Sequence, residues 1–132
     1  VCAHAVRVAV KSVNGVDSVD VSLSKGMATI SLRPGNTVQL KQLLAAITKN
    51  GFTTKQSKVI ANGTVLADAG GLRLKISGSN ESLALKGDAP LLDKAKGLIG
   101  KTVTATGTIG EVQKGKTAEE IQLNAIELAK EQ

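Results

Sequence analysis

Aromatic residues are nearly absent from this chain, which has one Phe and no Trp or Tyr in 132 residues. Most binders of single-stranded nucleic acid hold bases by stacking them on aromatic rings, and only Phe52 offers one. Cysteine is as scarce. A single Cys excludes an internal disulfide framework, and with one His it excludes a zinc site of four thiolates or of two thiolates and two imidazoles. No Ser-His-Asp or Cys-His constellation can be placed. The chain is therefore expected not to be an enzyme. No apolar run approaches the roughly 20 residues of a transmembrane helix. The first residue is Val and no signal-peptide pattern precedes it, so an upstream stretch is expected to have been removed.

What remains is a chain built to fold, with 42% hydrophobic and 21% charged residues. Val19, Val21 and Leu23 alternate with Asp20 and Ser22 as a half-buried strand. Lys25-Gly26 turns the chain, Ala28, Ile30 and Leu32 return it, and Arg33-Pro34-Gly35 ends the hairpin. Asn36 and Gln39 predict a capping box for a helix with Leu40, Leu43, Leu44 and Ile47 on one face, closed by Asn50-Gly51. The opening segment is ambiguous: Val6, Ala9, Val10 and Val13 fit a helical face, whereas Val6, Val8 and Val10 fit a strand.

From Lys58 the pattern changes. Residues 58–67 read as a strand, Leu72, Leu74 and Ile76 as the next, and Leu83 and Leu85 as a third after the turn Gly78-Ser79-Asn80. Asp88 and Pro90 open a helix carrying Leu91, Leu92, Ala95, Leu98 and Ile99, with Gly100 past its end. Strands from about Lys101 to Ile109 and from about Glu120 to Leu128 follow, joined by the loop Glu111 to Lys116. Three strands, a helix and two strands in this length predict a small OB-type five-stranded β-barrel. The expected domains are thus 1–57 and 58–132. Charge separates them: seven basic and two acidic residues up to Ser57 leave +5, and ten basic and nine acidic ones after it leave +1.

Cys2 through Val6, Val13-Asn14-Gly15-Val16, Val19-Asp20-Val21 and Gly51-Phe52 follow one another in a spacing that resembles the heavy-metal-associated domain. That family includes copper chaperones, the metal-binding domains of copper-exporting ATPases and the periplasmic mercury carrier. The resemblance covers about 55 residues, implies a helix for the opening segment, and implies a ferredoxin-like βαββαβ sandwich, so the fold class expected for the whole chain is α+β. The family's metal loop is Cys-x-x-Cys. Cys2 aligns with its second Cys, and the first would lie two residues upstream of Val1.

The chemistry implied is binding or transfer of a thiophilic ion, Cu(I) or Hg(II), which prefers thiolates and tolerates low coordination. Cys2, just ahead of a helix, has the N–H groups and positive dipole end there to favour its thiolate. His4 is the nearest second donor, although residues two apart diverge by roughly 200° on a helix, so Cys2 must lie in the preceding loop for both to reach one ion. Against these stand blander readings: Cys2 as an ordinary terminal thiol, His4 as a solvated first-turn residue, Met27 as surface or packing, and Phe52 as core rather than an aromatic beneath the metal loop. Asp88, Asp93, Glu119 and Glu120 could be imagined as an acid pair or a hard-ion site, but Glu119 and Glu120 flank a strand start and read as solvated charges.

The expected partners are a metal ion and an acidic protein or metal transporter, steered by the basic first half. The barrel would serve for docking or as a second binding module. Nucleic-acid binding is the rival, disfavoured because the barrel region lacks Trp, Tyr, Phe and His. A third reading is an interaction protein with a degenerate metal loop. An exported or periplasmic location is favoured over a cytoplasmic one.

Overall fold

The structure, a computed structural model, describes residues 3–22, 24, 27–33, 35–112 and 121–131. Tertiary contacts divide the chain into two units, Val1–Lys55 with Val112–Ala118, and Gln56–Glu111 with Glu119–Gln132. The expected turn at Lys25-Gly26, together with Cys2, Leu23, Pro34, Glu119 and Glu120, lies outside the described residues.

In the first unit the ambiguous opening segment is a helix, α1 (Ala3–Lys11). Helical spacing wins over strand propensity because it lets Val6 and Val10 enter one core together with Val16, Val38 and Leu43. Strands β1 (Val16–Ser22) and β2 (Met27–Leu32) pair antiparallel, with Val19 opposite Ile30 on the core side and Asp20 opposite Thr29 on the other. Helix α2 (Leu40–Lys49) buries Leu43 and Leu44 and ends at Asn50 and the positive-φ Gly51.

The capping box sits three residues later than expected. Gln39 is the N-cap and exchanges hydrogen bonds with Gln42, whose side chain accepts from the Gln39 N–H at 2.9 Å. Asn36 is drawn into a turn instead, its Oδ1 accepting from Val38 N at 3.0 Å and its Nδ2 donating to Arg33 O at 2.7 Å. Among the described residues this unit therefore runs α-β-β-α around a two-stranded sheet. The outer strands of the expected βαββαβ pattern are not seen among them. After α2 only Thr54 bridges, to Val112, with N–H to O distances of 2.9 and 2.8 Å.

The second unit is a closed barrel of five strands in the order β3-β4-β5-β7-β6. They are β3 (Ser57–Asp68), β4 (Gly71–Ile76), β5 (Ser82–Lys86), β6 (Thr102–Ile109) and β7 (Gln122–Lys130). The β5–β7 pair is parallel and the others are antiparallel. Alternation fills the interior with Val65, Leu74, Leu83, Val103, Leu123 and Leu128, and turns Thr102, Thr104, Thr106 and Thr108 of β6 outward. Each such leucine contributes roughly 1.5–3 kcal/mol of burial.

Strand β3 serves two partners: residues 57–64 pair with β6 and residues 63–68 with β4. The crossover needs glycine, because a Cβ on Gly63 would stand 2.5 Å from the Lys75 carbonyl oxygen.

Helix α3 (Ala89–Lys96) lies between β5 and β6, with Asp88 as N-cap accepting from Leu91 N at 3.0 Å and Pro90 in the first turn. It stops earlier than the spacing of Leu98 and Ile99 predicts. Gly97 caps it, its N–H reaching the Asp93 and Lys94 carbonyls, and Ile99 leaves the helix to bridge Val65. Among the described residues no helix is long and apolar enough to cross a membrane.

Candidate metal centre

The local sequence holds α1 rigidly from its far end. Ser12 Oγ donates to Ala9 O at 2.7 Å, and the chain reverses at Gly15, whose carbonyl accepts from Arg33 N at 2.8 Å. Gly15 has φ 108°, and a Cβ there would meet Val38 Cγ2 at 2.7 Å. Because α1 turns back into β1 at this end and the β2–α2 connection returns to it, the start of α1 and the close of α2 share the opposite end.

At that opposite end His4 occupies the first turn of α1 and is exposed. Its imidazole is open to solvent and to an approaching ion or partner. Cys2, the expected thiolate, immediately precedes the helix in sequence but lies outside the described residues. Met27 stands at the hairpin with 59% of its surface exposed, which fits a surface role rather than packing. Phe52 packs against the valine-rich core, the plainer of its two readings. At the close of α2, Thr48 is buried with its hydroxyl donating to Ala45 O at 3.4 Å, and Asn50 Nδ2 donates to Ala46 O at 2.7 Å.

Among the described residues no three of His, Cys, Asp and Glu gather into a ligand cluster. A shallow depression of about 230 Å³ bordered by Lys11, Asn14, Gly15 and Arg33 lies at the other end of α1. There Lys11 Nζ donates to the Asp17 carbonyl and Arg33 faces the Asp17 carboxylate at 4.0 Å, both on exposed surface.

The charge of the unit is arranged by element. Arg7, Lys11, Lys41 and Lys49 are exposed on α1 and α2, neither helix carries an acidic residue, and Asp17 and Asp20 both lie on β1. His4, Arg7 and Lys11 recur every three to four residues along α1, so they share one stripe. Sequence reading found the basic excess of this half without assigning it to the helices, although that spacing was its visible signal.

The model of the heavy-metal-associated domain matches residues 1–53. No curated protein and no solved structure matches the chain.

Proposed function

We propose, from the heavy-metal-associated domain that residues 1–53 carry, that this protein binds a thiophilic metal ion as cargo and passes it to a partner. The family match over residues 1–53 supports heavy-metal chemistry, and the observation that supports the site is that α1 begins at Ala3, one residue after the single Cys. In sequence the thiol comes just before the first N–H groups of α1, which have no partner within the helix and favour negative charge. Cu(I) or Hg(II) suits such a site, since two donors suffice for either. Cys2 supplies the thiolate and His4, exposed on the first turn, the second donor until a partner's sulfur displaces it. The role is carriage rather than catalysis, and an exported or periplasmic setting accords with the resemblance to the periplasmic carrier.

The cationic helices suit an acidic acceptor, whose attraction to Arg7, Lys11, Lys41 and Lys49 speeds encounter more than it tightens the complex. The second unit, with three strands, a helix and two strands closing in the order β3-β4-β5-β7-β6, is read as an OB-type barrel acting as a docking or second binding module.

Titration with Cu(I) against a chromophoric chelator, and separately with Hg(II), tests the reading. One equivalent bound by the full chain, lost in Cys2→Ala and weakened about tenfold in His4→Ala, supports it. Binding that survives Cys2→Ala, or no binding at all, leaves an interaction protein with a degenerate metal loop.

A further inference from the structure

Three Asn-Gly pairs occur in the chain, Asn14-Gly15, Asn50-Gly51 and Asn62-Gly63, and metal carriage uses none of them. Asparagine followed by glycine is chemically labile in water, because the glycine nitrogen can approach the asparagine side-chain carbonyl with no Cβ on the following residue in the way. Asn36, Asn80 and Asn124 precede Thr37, Glu81 and Ala125, whose side chains hinder that approach. Closing the succinimide ring also needs an asparagine free to rotate and a glycine N–H free of its hydrogen bond. Local order therefore decides among the three pairs.

Two of them are held. At the close of α2, Asn50 Nδ2 donates to Ala46 O at 2.7 Å and Gly51 N donates to Thr48 O at 3.1 Å. Asn62 lies within β3, its Oδ1 accepting from Thr104 Oγ1 at 2.8 Å, and the buried Gly63 is in register with Val103 on one side and Ile76 on the other. Asn14 differs on each count. It is exposed in the turn between α1 and β1, and neither its side-chain amide nor the Gly15 N–H makes a hydrogen bond among the described residues. The turn is closed by other groups, Val16 N donating to Val13 O at 3.2 Å and Arg33 N to Gly15 O at 2.8 Å. Asn14 and Gly15 border the shallow depression that Lys11 and Arg33 also line, open to water.

We propose that Asn14 is the site at which the folded chain deamidates. Gly15 N attacks Asn14 Cγ and gives its proton to water as the N–Cγ bond forms, while the Cγ–Nδ2 bond breaks and ammonia leaves. Water then opens the succinimide, giving aspartate where it cleaves the bond to Cγ and isoaspartate where it cleaves the bond to the Asn14 main-chain carbonyl carbon. Either product sets a carboxylate in the depression that Lys11 and Arg33 line, adding a negative charge where the basic stripe of α1 ends. This chemistry is independent of metal carriage.

Incubation of the full chain at mildly alkaline pH, followed by peptide mass mapping and enzymatic methylation of isoaspartate, tests it. In the folded chain Asn14 is expected to convert about tenfold faster than Asn50 or Asn62, and in denaturant, where local order is lost, all three are expected to convert at comparable rates. Asn14→Gln, whose longer side chain disfavours ring closure, is expected to abolish isoaspartate formation in the folded chain with thermal unfolding unchanged. Conversion at Asn50 or Asn62 that matches Asn14 in the folded chain overturns the proposal. So does an Asn14 that converts in denaturant but not in the folded chain, or isoaspartate undiminished in Asn14→Gln.

Discussion

At the scale of single residues, backbone conformation and side-chain chemistry make separate demands on the first unit. Gly15 answers the backbone. Its φ of 108° and the 2.7 Å that a Cβ would leave to Val38 make Gly15→Ala costly by about 2 kcal/mol or more, read as a lower denaturant midpoint at unchanged slope. His4 and Cys2 are the donors proposed for the cargo. A thiolate and a neutral imidazole bind metal only when deprotonated, so cargo affinity should fall steadily as a titration is repeated at more acid pH. Affinity flat across that range would exclude both donors. Sequence alone named Cys2 and His4 as candidate donors and settled the surroundings of neither. The opening segment fits two structures, a helix through Val6, Ala9, Val10 and Val13 or a strand through Val6, Val8 and Val10, and the choice rests on Val38 and Leu43, which are remote in sequence and complete the core.

At the scale of elements, alternation and helical spacing made the strands and helices legible, because a buried face imposes its period on the residues that form it. Their ends were less legible, being decided by individual hydrogen bonds. Leu98 and Ile99 keep the helical period beyond α3, yet the Gly97 N–H closes on the Asp93 and Lys94 carbonyls and the chain leaves for its bridge to Val65. Asn36 has the side chain of a good N-cap but spends it on Arg33 and Val38. The start of α3, by contrast, was written plainly as Asp88 followed by Pro90. Asp88→Ala should destabilise the second unit by about 1 kcal/mol and Asp88→Asn by much less, as measured by chemical denaturation. Equal losses would show that the Asp88 charge, not its capping oxygen, is what matters.

At the scale of the whole molecule, residues 1–57 carry +5 of the net charge of +6, and four of their seven basic residues lie on helices that hold no acid. Cargo transfer to an acidic acceptor should therefore slow as salt rises. The paired substitution Arg7→Glu and Lys11→Glu should slow it at low salt by about tenfold and flatten that dependence in stopped-flow traces. A transfer rate indifferent to both would dissociate the basic helices from docking. The central claim is narrower: a soft ion is held by the thiolate just ahead of α1. X-ray absorption at the copper edge, on the full chain loaded with one equivalent of Cu(I), tests it most directly. The account predicts a first shell containing sulfur that disappears in Cys2→Ser. A first shell of nitrogen and oxygen alone in the unaltered chain would contradict it.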